Sequence, residues 1–387
     1  MSRLGLTLTL LAAAAGLSGA AAQTVLMQQD PVDAFGPEFG PDEATPGTML
    51  GGGGELAFGI SYGNAEGVMG VIEITQDGLF GSDEDLRFHL EGSRYTQSLG
   101  LSLTDQDFLE RPLSRTIRLS GYNVDPNDEH GQQYGYSGLD LAMAFTRQVD
   151  GGMAQRLGIG VAQYSIEMTP VMPLAVTTHA ATYGATTDVI YAFGGLDVNR
   201  VEAGWMPGSG WRATANLEVG QAKDTGYAKL TFGGEAFGRL ATNTVVRGHA
   251  GMGLSAVAGN KGLPLFKTYH GGGIGSVRGY VPGTMGPVST VPGSSDLAYP
   301  GGESAWSAGI ELLQAVPAVD GLKALAFYDM GGISGTRSPF DDKRSSVGVG
   351  LSWDSPIGPL SVFAAKPLDD KPTDETETLQ VSYGVRF

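Results

Sequence analysis

Arg278 is the residue of this chain best placed to do specific chemistry. It lies in Gly271-Gly272-Gly273-Ile274-Gly275-Ser276-Val277-Arg278-Gly279-Tyr280, preceded by Leu263-Pro264-Leu265-Phe266. A guanidinium stays charged and offers a planar fork of N–H donors, so wherever it is carried it demands an acceptor. The surrounding glycines exclude a helix and are too dense for an ordinary strand, but they let a backbone pass close to another surface. Catalytic patterns are missing. His89, His130, His179, His249 and His270 show no paired metal-ligand spacing, so no metal is expected. Gly135-Tyr136-Ser137-Gly138 lacks the last glycine of a nucleophile elbow. No lysine follows Gly271–Gly275, which therefore matches neither a phosphate loop nor a dinucleotide fingerprint. Asp83, Glu84 and Asp85 read as a solvated turn. No cofactor and no catalytic residue is expected.

The elements around this arginine begin with an export signal. Arg3, the apolar stretch Leu4 to Leu17 and the small residues Ala20-Ala21-Ala22 predict a signal peptide over 1–22, with Gln23 opening the mature chain. Residues 23–51 carry Asp30, Asp33, Glu38, Asp42 and Glu43 and no basic residue, and are broken by Pro31, Pro37, Pro41 and Pro46. This predicts a short, irregular, acidic periplasmic segment. No later stretch is long and apolar enough for a spanning helix, which excludes a helical inner-membrane protein. With 0 cysteines no disulfide framework is available. A net charge of −17 disfavours nucleic acid as a partner. The 61 glycines beside 41% hydrophobic content are odd for a soluble enzyme and suit strands that pack closely or bend.

Residues 52–387 alternate apolar with small or polar residues in runs separated by Gly, Asp, Asn and Pro. Leu379, Val381, Tyr383, Val385 and Phe387 share one face, against Gln380, Ser382, Gly384 and Arg386 on the other. Val347, Val349, Leu351 and Trp353 likewise oppose Ser346, Gly348, Gly350 and Ser352. A side-chain period of two gives each run an oily and a wet face. A soluble sandwich would alternate too. Runs of about ten residues, the length of a tilted spanning strand, and an aromatic last residue favour a transmembrane antiparallel β-barrel. About sixteen strands are expected, at 52–63, 68–75, 85–92, 96–104, 115–122, 136–147, 155–166, 185–196, 210–220, 226–236, 242–256, 302–314, 322–333, 344–354, 358–367 and 377–387. Arg278 falls in the longest gap, 257–301.

These residues carry a resemblance. Leu263-Pro264, Gly271-Gly272, Ser276-Val277-Arg278-Gly279-Tyr280, Gly286-Pro287, Gly301-Gly302, Glu311, Phe327-Tyr328-Asp329-Met330-Gly331, Trp353 through Leu360, Ala365-Lys366-Pro367-Leu368 and Phe387 are similar to the barrel of the BamA/TamA-type outer-membrane assembly superfamily, which includes two-partner secretion transporters. Phe58 to Gly63 and Leu103 to Phe108 resemble that family's first strand and an early hairpin more loosely. The resemblance implies location in the outer membrane of a Gram-negative bacterium. It also implies a loop between strands 11 and 12 that folds back into the lumen.

If the loop folds inward, Arg278 needs a partner on the wall. Asp329 shares a face with Lys323, opposite Ala326, Tyr328 and Met330, and Glu311 shares a face with Ser307 and Gly309. Both should point inward. An Arg278–Asp329 ion pair is therefore expected, with Glu311 as alternative or additional acceptor. Gly272, Gly273, Val277, Gly279 and Tyr280 complete the latch loop. The resemblance further implies a C-terminal assembly signal in Tyr383, Val385 and Phe387, and a weak seam between the first and last strands, near Gly51 to Gly54 and Gly384. Typical members carry periplasmic POTRA domains, for which 23–51 is too short. Two functions stay open: a factor that helps proteins enter or cross the outer membrane, and a passive pore or structural barrel. An outer-membrane phospholipase with a scattered Ser/His pair is a third reading. Expected partners are outer-membrane lipid, client outer-membrane proteins or a separate periplasmic subunit; a homo-oligomer through lipid-facing strands is also open.

Overall fold

A backbone in hydrocarbon must satisfy its own N–H and C=O groups, and strands do so only when the sheet has no free edge. The computed structural model describes residues 54–63, 67–79, 82, 84–126, 133–149, 152–259, 261–355 and 358–386. The expected export signal, the acidic segment, Gly51 to Gly53 of the seam and Phe387 lie outside the described residues. Within them the chain forms β1 (Gly54–Gly63), β2 (Gly67–Gln76), β3 (Glu84–Gly92), β4 (Thr96–Asp105), β5 (Ser114–Val124), β6 (Tyr136–Val149), β7 (Met153–Ile166) and β8 (Thr186–Asn199). The second half forms β9 (Ser209–Ala222), β10 (Thr225–Ala241), β11 (Thr244–Val257), β12 (Ser304–Ala315), β13 (Leu322–Ser334), β14 (Arg344–Ser355), β15 (Gly358–Pro367) and β16 (Leu379–Arg386). Each strand pairs antiparallel with the next and β1 closes on β16, giving the transmembrane antiparallel barrel of 16 strands that the alternation predicts.

The alternation sorts the two faces. Leu157, Ile159 and Val161 on β7, and Val347, Val349 and Leu351 on β14, are exposed on the outside, where lipid covers them. Ser346 and Ser352 point inward and are buried. Short turns join strands at one end of the barrel, as between β10 and β11. At the other end lie the longest described connections, 167–185, 258–303 and 368–378. Outer-membrane barrels carry short turns on the periplasmic side and long loops outside, which orients the molecule.

The glycine excess has a specific cause on the inner wall. Tyr122 faces Gly138, Tyr191 faces Gly160, Phe193 faces Gly158, Tyr227 faces Gly220, Phe327 faces Gly348 and Phe363 faces Gly350, each directly across from the other on the neighbouring strand. Each ring covers its glycine with its outer edge. A Cβ at Gly160 would stand 2.4 Å from the Tyr191 ring, and one at Gly348 would stand 2.3 Å from the Phe327 ring. Aromatic cross-strand packing thus takes the space that a side chain would fill.

The lumen is less wet than its small and charged residues suggest. Tyr164, Tyr183, Val189, Tyr191, Tyr227, Leu263 and Phe266 form a buried apolar cluster inside it, because the 258–303 loop brings apolar side chains with it. The connections carry short elements of their own outside the barrel sheet. Helix α1 (Leu174–Tyr183) lies in the β7–β8 loop and has no side-chain N-cap, so its helicity depends on packing against the barrel mouth. A two-residue hairpin, Ser289–Thr290 with Leu297–Ala298, sits within the long loop.

Gly348→Ala should displace Phe327, because the added Cβ also meets the Ala364 carbonyl oxygen at 2.4 Å. Overpacking of this kind costs about 1–3 kcal/mol, read as a lower urea midpoint for the reconstituted barrel.

Candidate functional site

Strand parity delivers two carboxylates to one spot on the wall. In β13, Lys323, Leu325, Phe327 and Asp329 share the inward face, and in the β12–β13 ladder Glu311 is opposite Phe327 while Asp329 is opposite Gly309. Glu311 is 4% and Asp329 1% exposed. Carboxylates so deeply buried need cationic partners and hydrogen bonds.

The 258–303 loop supplies one. Tyr269 and Gly302 exchange two backbone hydrogen bonds of 2.9 Å and close its neck. Inside the neck the chain reverses through Gly272, Gly273 and Gly279, whose φ angles of 104°, 77° and 92° lie in the left-handed region. The Gly272 N–H donates to Ser276 Oγ at 2.7 Å. The Gly273 N–H donates to the Tyr280 carbonyl at 2.9 Å. Val277 and Tyr280 are fully buried and pack with Tyr269, Met285, Ala305 and Ile333. The Tyr280 hydroxyl donates to the Ser345 carbonyl at 3.3 Å.

This reversal points Arg278 at the wall. Its Nε donates to Asp329 Oδ2 at 2.6 Å and its Nη2 to Asp329 Oδ1 at 2.8 Å. Nη2 also lies 2.7 Å from Glu311 Oε1, and the Arg278 backbone N–H donates to Asp329 Oδ2 at 3.2 Å. The guanidinium carbon stands 3.6 Å from the centroid of Phe327 and 5.2 Å from that of Phe363. Arg278 thus has both carboxylates as acceptors, in a fork geometry that lysine lacks, together with an aromatic floor.

Glu311 does not end the network. Its Oε2 accepts from Arg247 Nη1 at 2.9 Å, and Arg247 Nε donates to Glu235 Oε2 at 2.6 Å. Glu235 also pairs with Arg212, so charges alternate in sign from β9 through β12 to the loop and on to β13. His249 completes the site: its Nε2 is 3.8 Å from Asp329 Oδ1. It reaches over Gly309, where a Cβ would stand 2.4 Å from that nitrogen. Arg212, Glu235 and Arg247 were absent from the sequence expectation, although their inward parity on β9 to β11 was available.

A second contact fixes the base of the loop. Lys267, with no exposed surface, places Nζ 3.0 Å from Glu218 Oε1 and lies over the rings of Tyr164 and Tyr191. Phe266 stacks on Tyr164 at 4.0 Å. Above it, His179 of α1 sets its ring edge-on to Phe266, and its Nδ1 accepts the Leu265 N–H at 3.3 Å. Burial pushes the His179 pKa down to about 4. Of the expected C-terminal signal, Tyr383 and Val385 lie on β16 opposite Tyr62 and Ile60. Among the described residues no group of three or more His, Asp or Glu could hold a metal ion.

Residues 79–387 match the Omp85 superfamily domain. The chain belongs to the Omp85 superfamily. It is 24% identical over 375 residues to the outer membrane protein assembly factor BamA of Neisseria meningitidis serogroup B, covering 86% of this chain and 47% of that relative. The chain therefore spans about half the length of that relative. In fold it is similar to the crystal structure of BamA from Haemophilus ducreyi lacking POTRA domains 1-3, with a TM-score of 0.79 at 21% identity over 87% of this chain and 70% of that one. CdiB from Acinetobacter baumannii is similar with a TM-score of 0.58 at 12% identity, over 86% of this chain and 59% of that one. Superfamily membership and this barrel make it an outer-membrane protein of a Gram-negative bacterium.

Asp329→Ala leaves Arg278 short of its bidentate partner and should cost about 3–5 kcal/mol of loop docking. Limited proteolysis would show this as faster cleavage within 263–290. For His179, neutral in the docked state, the contribution to α1 docking is complete above its ordinary pKa of 6.5 and is lost as pH falls from 6.5 towards 4. Amide exchange of 174–183 should accelerate across that window in the native protein but stay flat in His179→Gln.

Proposed function

We propose that this barrel is a non-enzymatic factor that assists the insertion or translocation of outer-membrane proteins, with the Arg278 loop as its latch. The observation that carries the reading is the anchor itself. Arg278, 4% exposed, is tied to two carboxylates on adjacent strands of a wall that belongs to the Omp85 superfamily domain. Two carboxylates that need a cation define one docked state of the loop, because losing the arginine leaves both with fewer partners. A loop whose tip is fixed by such a joint, above a base held separately by Lys267, has a bound and a released arrangement of the tip, which is the bistable element a switching barrel requires.

Client outer-membrane proteins are the partners this reading assigns, with surrounding lipid as the medium into which they pass. The seam supports it. Among the described residues the register runs over five pairs between β1 and β16, Gly59↔Arg386 to Gly63↔Ser382, and over five between β15 and β16, against fourteen between β6 and β7. A short ladder is the cheapest place to open a closed sheet. The passive-pore alternative is disfavoured by the lumen, which the 258–303 loop enters with Phe266, Lys267, Tyr269, Val277 and Tyr280 all buried.

Reconstituted in liposomes, the protein should accelerate folding of an unrelated client barrel at least tenfold over empty liposomes, and Arg278→Ala should lose most of that gain. A client-folding rate equal to that of empty liposomes, with Arg278→Ala indistinguishable from the native chain, would overturn the assignment.

A further inference from the structure

The tip of the latch loop touches more than its carboxylate anchor. Gln380, on the inward face of β16 and 1% exposed, embraces the tip from the far side. Its Oε1 accepts the Gly279 N–H at 3.1 Å and its Nε2 donates to the Tyr280 carbonyl at 2.9 Å. A side-chain amide that meets one backbone N–H and one backbone C=O imitates a neighbouring strand. The segment before β16 extends the same pairing. The Glu377 N–H donates to the Gly279 carbonyl at 2.9 Å, the Val281 N–H donates to the Glu375 carbonyl at 3.0 Å, and Tyr280 bridges Thr376. Residues 279–281 therefore form a short ladder with 375–377, immediately upstream of the last strand.

The last strand needs that support. Among the described residues β16 is joined to β15 over five register pairs, Leu360↔Tyr383 to Ala364↔Leu379, and to β1 over five. These two ladders engage different lengths of β16, so among the described residues only Ser382 and Tyr383 are paired on both sides. The upper part, Leu379 to Val381, has β15 on one side and the latch tip on its inner face. Arg278, next to Gly279, fixes the tip to β12 and β13 at the same time.

We infer that Gln380 is a positioning residue that makes the latch tip a splint for β16, so that release of the loop loosens the seam between β16 and β1. Docking and closure become one equilibrium: with the tip in place β16 is held from three directions, and with the tip gone it keeps two short ladders. The Gln380 contact stands on its own geometry; only the Arg278 arm below rests on the latch reading of the proposed function.

Hydrogen exchange on the full chain in lipid nanodiscs tests this. Gln380→Met keeps side-chain volume and removes both hydrogen bonds to the tip, together with the longer one that Nε2 donates to Glu377 Oε2 at 3.4 Å. It should speed exchange of amides in 379–386 and 54–63 about tenfold, the scale set by losing two buried hydrogen bonds, while β6 to β8 stay unchanged. A merely structural role would raise exchange around the whole barrel, and either that outcome or an unchanged seam overturns the inference. If Gln380→Met does not fold, Gln380→Glu retains the acceptor for Gly279, loses the donor to Tyr280, and should loosen the same two strands; an unchanged seam again overturns it. Arg278→Ala should loosen the seam as well, and Arg278→Ala with Gln380→Met should be no looser than the more affected single variant, because both act through one tip. Additive effects would show two independent contacts and sink the coupling. Should Arg278→Ala leave exchange of 271–285 unchanged, the latch reading fails, while the Gln380→Met result still decides the splint.

Discussion

A guanidinium buried between two carboxylates organises this molecule. Arg278 costs a great deal to desolvate, and Asp329 and Glu311 would cost as much without it; only the three together make a tolerable interior. Much else follows from keeping that arrangement. The loop must reverse tightly to present the arginine, which places glycine at 272, 273 and 279. The wall must leave room for His249 to approach Asp329, which places glycine at 309. The floor must be flat and apolar, which places Phe327 beneath the guanidinium and Gly348 beneath Phe327.

The charges beyond Arg278 obey the same rule. Arg212, Glu235, Arg247 and Glu311 alternate across four adjacent strands, so each carboxylate has a cation on both sides and no member is left with a bare field. Such a row suits a lumen filled by a loop, where water is scarce and effective dielectric is low. Lys267 repeats the principle further along the wall, with Glu218 of β9 and two tyrosine rings of β7 and β8. The long loop is thus held at base and tip by buried cations on carboxylates.

Much of this was legible in the primary structure, for physical reasons. Membrane strands need a period of two and turns need Gly, Asp, Asn or Pro, so the sixteen strands could be placed along the chain. Parity alone sends Glu311 and Asp329 to the lumen. Register was harder. The turn between β10 and β11 would mirror Glu235 onto Ala250, but a bulge at Arg239–Ala241 shifts it opposite His249, and a one-residue slip reassigns every neighbour. The ladder from Arg212 to Arg247 was hidden for that reason. Gln380 could be read as inward, yet its partner Gly279 is 101 residues away and belongs to a loop whose path no pattern encodes. Helix α1 lacks a side-chain cap and a period, being held by Phe266 and the barrel mouth instead.

The glycine–aromatic pairs give the wall uneven mechanics. A closed sheet behaves as a hoop under tension, and a hoop yields at its shortest joint. Rings seated on glycines tie β5 to β6, β7 to β8, β9 to β10 and β13 to β14 to β15, and the β6–β8 ladders are long. No such ring lies across the described β1–β16 joint, where Tyr62 meets Tyr383 and Gly384 meets Ser61. Any outward load on the wall, whether from lateral pressure of the lipid or from a chain pushing within, therefore collects along β16, whose two described ladders are the shortest of the sheet, and the ring-tied strands with long ladders act as a stiff frame that delivers it there.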